Sequence, residues 1–303
     1  MSRRPPPQTP RSQDTRKKDR TAAQSPAKMT SRPPRFSTVS RAPQIPRKGH
    51  SDSSSIPKSW RAVVGHHAIK EAFQVFPKTT RELWLKKGFE SSLELQAFEK
   101  TALDLKIKIQ IKSEATLDRL CSTHQGAALL KEGQPQWDDS VVKDHSTFLI
   151  LDGIEDPHNL GAILRTSWLM NVDGIFIPEN RAVQLTSTVH KVACGGAEHV
   201  PVTSCVNFSP SVEKLKEQGF WIFGLSHKAE KTVFDFKLPE KIVWAIGAED
   251  KGLRSTTERL CDELVSIPQA SNAASYNASV AAAIALTETF RQHQLSMKSK
   301  NTF

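Results

Sequence analysis

The chain has 303 residues, of which 38% are hydrophobic and 18 are proline, and it carries a formal net charge of +10. That length leaves room for two domains, but the low apolar fraction excludes folding from end to end, because Pro-rich polar stretches bury too little surface to offset chain entropy. Four cysteines without C-x-x-C spacing exclude a disulfide framework or a zinc knuckle, and no apolar run reaches the length of a membrane span or a signal-peptide core.

The charge is unevenly spread. Residues 1–59 hold 14 Lys+Arg against 3 Asp+Glu and 10 of the 18 prolines, while residues 60–303 hold 28 basic and 29 acidic residues. Residues 1–59 therefore read as a disordered basic tail whose partner is a polyanion. A tail that only solubilises is the plain alternative. A membrane surface fits less well, since no apolar face accompanies the charge. Without leader or span, the protein is expected in the cytoplasm, with Cys121, Cys194, Cys205 and Cys261 reduced and mostly buried. The dispersed histidines predict no metal site.

RAVVGHHAIKEAFQVF (61–76) predicts a short strand and then an amphipathic helix carrying Ala68, Ala72, Phe73 and Phe76. ELWLKK (82–87) predicts a strand, LELQAFEKTALDL (93–105) a helix, and IKIQIK (107–112) a strand alternating apolar and basic residues. TLDRLCS (116–122) is a short helix, and HQGAALLKE (124–132) a loop ending in a strand. Residues 60–133 thus form a small α/β domain, followed by a polar linker over 134–146. Residues 147–303 then alternate. Strands are expected at 148–154, 174–178, 199–205, 220–226, 242–247 and 263–268, with helices at 160–170, 185–196, 209–219, near 254–260 and at 278–292. Such alternation predicts a mostly parallel sheet with helices on both faces.

Three segments follow strands of that sheet, at the carboxyl ends where open α/β folds place their chemistry. In DPHNLGAILRTS (156–167), Asp156 and Pro157 break the strand and Asn159 is an N-cap for a helix carrying Arg165. Local rules alone make Asn159 a cap and Arg165 a surface cation. IVWAIGAEDKGLR (242–254) ends in Gly-Ala-Glu and a further Gly, where backbone can approach a ligand closely. LVSIPQASNAASYNASVAAAIALTETFRQ (264–292) runs from strand through a small-residue loop into an Ala-rich helix. No G-x-G-x-x-G follows any strand, which disfavours a Rossmann nucleotide site.

In order, N-x-G-x-x-x-R-T, I-G-A-E-x-x-G-L and I-P-x(6)-S-x-N-x-S-V-A-A-A-I resemble the three motifs of the SpoU class of RNA 2′-O-ribose methyltransferases, over residues 147–292. The resemblance implies an α/β catalytic domain with a trefoil knot, in which 264–280 threads a loop closed by 242–254. It implies S-adenosyl-L-methionine as methyl donor. It also implies a homodimer joined through the last helix, whose face carries Ala281, Ala282, Ile284, Ala285, Leu286 and Phe290. Carried over residue by residue, it makes Asn159, Arg165, Glu249, Ser275 and Asn277 the catalytic set. Leu225, Gly247, Ile267 and Tyr276 become the lining of the donor pocket.

The family's proposed base corresponds to Arg165, but a guanidinium is effectively always charged. The physical reading is that Arg165 binds the phosphate beside the reacting ribose, with Asn159 holding Arg165 or the ribose. Glu249 would orient the arginine or nearby loop amides; its local alternative is an acid at a helix start. Gln269, Ser271, Tyr276 and Ala278 stand where the family usually has Met, Gly, Leu and Val, which reshapes the donor pocket without closing it.

Upstream, GHHAIKEA (65–72) and HQG (124–126) resemble the substrate-binding domain ahead of many SpoU catalytic domains, implying a fold like ribosomal proteins that bind kinked RNA. A generic α/β adaptor is the alternative. DPHNLG (156–161) and GGAEHV (195–200) also resemble an enterobacterial branch of the family. The implied function is methylation of ribosomal or transfer RNA at the ribose 2′-hydroxyl. An RNA-binding protein of the same fold with weak or lost catalysis is the other reading.

Overall fold

The computed structural model describes residues 56–137, 146–271 and 274–300. The expected disordered tail lies outside the described residues up to position 55, as does the linker over 138–145. Two sheets organise the rest. The first is built from β1 (Trp60–Val64), α1 (His66–Gln74), β2 (Thr80–Lys86), α2 (Leu93–Asp104), β3 (Lys108–Lys112), α3 (Glu114–Asp118) and β4 (Ala127–Glu132). Its strand order is β1-β4-β2-β3, with β4 antiparallel to both neighbours and β2 parallel to β3. Helix α1 buries Ala68, Ile69, Ala72 and Phe73, one face at helical spacing. Phe76, expected on that face, is instead 61% exposed, because its backbone turns left-handed where the helix has ended.

The second sheet begins with β5 (Ser146–Asp152), α4 (Pro157–Leu169), β6 (Gly174–Pro178), α5 (Ser187–Ala193), α6 (Gly196–His199), β7 (Val202–Cys205) and α7 (Ser209–Glu217). It continues through β8 (Trp221–Leu225), β9 (Lys241–Gly247), α8 (Ser255–Glu258), β10 (Glu263–Val265) and α9 (Ala278–Lys300). The order is β10-β8-β9-β5-β6-β7 and every pairing is parallel. The central strands are apolar on both sides, as a sheet covered on both faces requires. Leu149, Leu151, Trp244 and Ile246 pack with α4, α5 and α9, while Phe148, Ile150, Val243 and Ala245 pack with Phe208, Val212 and Leu215. From β5 the chain moves one way to β6 and β7, then returns to build β8, β9 and β10 on the other side. The crevice between β5 and β9 is thus the switch point where such sheets bind ligands.

Four local expectations need correction. Helix α4 starts at Pro157, and its cap is Asp156, whose Oδ1 accepts from the His158 amide at 2.9 Å. Proline is preorganised for the first helical position, so the residue before it becomes the cap and Asn159 falls inside the first turn. The helix expected over 185–196 is cut by left-handed backbone at Cys194 and Gly195, and the second piece takes His199 from the expected strand. The start of the linker is packed. Trp137 meets Phe148 and Phe176 edge-on at 4.9 and 5.9 Å, and Gln134 Nε2 donates to the Val202 carbonyl at 3.0 Å. In α9, Ala282, Ala285 and Leu286 are buried in this chain's own core, so only part of the expected dimer face is free.

All four cysteines are free thiols, with Cys121 and Cys205 buried and Cys194 and Cys261 half-buried. Burial holds the Cys261 thiol up at about 12. No described helix is long and apolar enough to cross a membrane.

Candidate active site

The ends of β8 and β9 and the loop after β10 line an open cleft of about 190 Å³. Leu225, Gly247, Glu249, Ile267, Ser275 and Tyr276 are on its walls. Gly247 is there because the loop folds straight back over it. Ala248 and Gly252 exchange backbone hydrogen bonds of 3.1 and 2.8 Å, and a Cβ on residue 247 would overlap the Gly252 carbonyl carbon and the Leu253 nitrogen. No side chain fits in that space.

The third segment closes on the second. Ser275 Oγ donates to the Glu249 carbonyl, and Asn277 Nδ2 donates to Glu249 Oε1, both at 3.3 Å. Asn277 also caps α9, its Oδ1 accepting from the Ser279 amide at 2.9 Å and from Ser279 Oγ at 2.6 Å. One residue thus fixes both the helix start and the Glu249 carboxylate. Glu249 lies in a loop and starts no helix, so its local alternative falls. The Tyr276 hydroxyl donates to the Pro268 carbonyl at 3.1 Å, tying together the two ends of the 268–276 loop at the cleft wall.

Asn159 and Arg165 are not on the walls of this cleft. Asn159 is buried in the first turn of α4, and Arg165 is exposed, its Nη1 3.7 Å from Cys194 Sγ. Among the described residues no hydrogen bond joins Asn159 to Arg165 or Arg165 to Glu249.

A pair that sequence reasoning missed sits at the switch point. Asp152, 1% exposed, ends β5 directly opposite Gly247 of β9. Its Oδ2 accepts from the Arg254 amide at 2.8 Å, and its Oδ1 lies 3.3 Å from Arg254 Nε. Gly153, with φ +85°, leaves room for the arginine, since a Cβ there would lie 3.3 Å from Arg254 Nη2. The only signal was an aspartate ending an apolar strand. Among the described residues no group of three or more His, Cys, Asp or Glu side chains could hold a metal ion.

A doubly covered parallel sheet with a polar-rimmed cleft at the carboxyl ends of β8 and β9 is the arrangement of a ligand-binding α/β protein. Comparison with known proteins narrows the class. Residues 146–287 match the SpoU rRNA Methylase family, and residues 62–136 match the family described as RNA 2′-O ribose methyltransferase substrate binding. The 23S rRNA (guanosine-2′-O-)-methyltransferase RlmB of Shewanella oneidensis is 38% identical over 242 residues, covering 77% of this chain and 97% of that protein. Its counterpart in Pseudomonas aeruginosa is 33% identical over 241 residues, with the same shares covered. The chain belongs to the SpoU rRNA methylase family. The crystal structure of the SpoU methyltransferase AviRb from Streptomyces viridochromogenes, in complex with the cofactor AdoMet, shares the fold. Its TM-score is 0.70 at 22% identity, covering 78% of this chain and 91% of that one.

Proposed function

We propose that this chain is an S-adenosylmethionine-dependent RNA 2′-O-ribose methyltransferase whose substrate is a guanosine of 23S ribosomal RNA. The observation that carries the reading is the convergence on one cleft of residues from 225, 247–249, 267 and 275–276, in a chain aligned with nearly the whole length of RlmB proteins. Transfer RNA is the less favoured substrate.

The donor suits the cleft. Leu225, Ile246 and Ile267 offer apolar walls to a purine, and the 247–252 backbone and Ser275 offer polar groups beside them. S-adenosylmethionine supplies a methyl group activated on a sulfonium. The chain's own residues align the hydroxyl with it, and alignment is where much of the rate gain lies. Arg165, exposed and fork-shaped, holds the phosphate next to the ribose. Asn159, in the first turn of that helix, holds the ribose, and Glu249, tethered through Oε1 by Asn277, keeps Oε2 for orienting the hydroxyl or Arg165.

Residues 60–133 serve as the RNA-binding domain, 134–146 as the linker and 147–303 as the catalytic domain. Two features support a knot. Strand β10 lies at the sheet edge beyond β8, yet α9 returns to pack on α4 and β9. The chain between them meets Glu249 at Ser275 and bridges Thr232 at Ser266. A homodimer would use the groove between α4 and α9, where Val280, Ala283 and Ile284 face Ala162 and Phe234. The net +11 of residues 1–59 would draw RNA phosphates in a cytoplasmic setting. Calorimetric titration with donor tests the reading. Saturable binding is expected, and no binding at millimolar donor would favour an RNA-binding protein of the same fold without catalysis.

A further inference from the structure

Glu198, in the GGAEHV segment, is 1% exposed, and the chemistry above gives it no task. Its partners come from both sheets. The two terminal guanidinium nitrogens of Arg61 donate to the two Glu198 oxygens as a fork, Nη2 to Oε2 at 2.7 Å. Lys131, fully buried, places Nζ 3.1 Å from Oε2 and donates to the Ala72 and Val75 carbonyls at 2.7 and 2.6 Å, so all three of its protons are used. His190 of α5 approaches Oε1 at 3.5 Å through Nδ1. Arg61 and Lys131 belong to the first sheet, Glu198 and His190 to the second.

The next residue extends the joint. His199 Nε2 lies 3.1 Å from Glu71 of α1, and its ring stacks on Trp168 of α4 at 4.2 Å and 7°. Gly195 is in contact with Glu71, where a Cβ would overlap Cγ. Gly196 abuts α4, where a Cβ would lie 2.6 Å from the Leu164 carbonyl oxygen and 3.0 Å from Arg165 Cα. Residues 195–199 are therefore a wedge, with the first sheet's domain on one side and the backbone of Arg165 on the other. Burying several charges is a poor way to gain stability, because desolvation cancels most of the attraction, but hydrogen-bonded charges accept only one geometry.

We propose that Glu198 is a positioning residue: by fixing the RNA-binding domain to the wedge behind Arg165, it sets which ribose reaches that arginine. This rests on the methyltransferase reading. Charge removal should loosen the joint without touching the donor cleft, whose walls include none of the joint's residues.

The test uses the full chain, ribosomal RNA lacking the modification, and three variants: Glu198→Gln, Glu198→Asp and Glu71→Gln. Expected for Glu198→Gln is donor affinity within about twofold of wild type, kcat/KM on RNA lowered about tenfold or more, and methyl groups mapped at additional riboses. Glu198→Asp, which keeps the charge, should recover much of the site choice. If Glu198→Gln does not fold, Glu71→Gln, at the rim of the same joint, carries the test with a smaller effect. Activity that falls only in proportion to the folded fraction, with methyl groups at the wild-type ribose alone, would overturn the positioning role while leaving the enzyme reading intact. A wild-type chain that transfers no methyl group to any RNA would overturn both.

Discussion

Arg165 is exposed and makes one weak side-chain contact, to Cys194, so its removal should leave the fold untouched. Arg165→Ala is expected to change stability by less than about 0.5 kcal/mol and to leave donor affinity unchanged in calorimetry. Single-turnover methylation should fall by about a hundredfold or more, as when one charge-stabilising group is lost from an active site. Wild-type turnover by this variant would remove Arg165 from the chemistry. The residue types of the proposed site were legible as a resemblance, because Asn159, Arg165, Glu249 and Asn277 stand in short, ordered motifs. The pairs Asp152–Arg254 and Arg61–Glu198 were not, since their members are 102 and 137 positions apart and only the folded sheets bring them together.

At the scale of the element, α4 and α9 divide what pattern can and cannot tell. Asp156 and Asn159 are both good caps by type, and the proline between them decides. Asp156→Ala should cost about 1 kcal/mol in denaturant unfolding, and Asn159→Ala should leave helix capping intact while lowering methylation. A larger stability loss at Asn159 than at Asp156 would reverse that assignment. In α9, an Ala-rich helix apolar on more than one side does not say which side is its own core. Ala282, Ala285 and Leu286 turn inward, and Val280, at 45% exposure, turns out beside Ile284. Ile284→Glu should therefore convert the proposed dimer into a monomer in light scattering at micromolar concentration. An unchanged mass would move the interface elsewhere. The alternation of strands and helices was readable throughout, because each period is local; the break at Cys194–Gly195 was not, because it answers to α4 and Glu71 packed against it.

For the whole molecule, the joint between the sheets makes stability depend on pH. Burial and the Arg61 charge push His190 down from 6.5 to about 4, so it is neutral in the folded protein at neutral pH. Burial would raise Glu198, but the Arg61 hydrogen bonds and surrounding positive charge draw it from 4.5 to about 2. Both folded values lie below the unfolded ones. Between about pH 6.5 and 4 the unfolded state binds a proton at His190 that the folded state refuses, and stability falls with falling pH by on the order of 3 kcal/mol. Glu198 adds to the loss below about pH 4.5. Urea midpoints at pH 7 and 5 check this, with the lower midpoint expected at pH 5 and equal midpoints counting against the buried joint. The proposed knot has no counterpart in periodicity or composition, which report local pattern and not threading. The most direct measurement is methyl transfer itself: the purified chain with methyl-labelled S-adenosylmethionine and 23S ribosomal RNA from cells lacking the protein, followed by nucleoside analysis. Label in 2′-O-methylguanosine, absent when Arg165 is alanine, is the predicted result; label only on a base, or no label on any RNA despite donor binding, would contradict it.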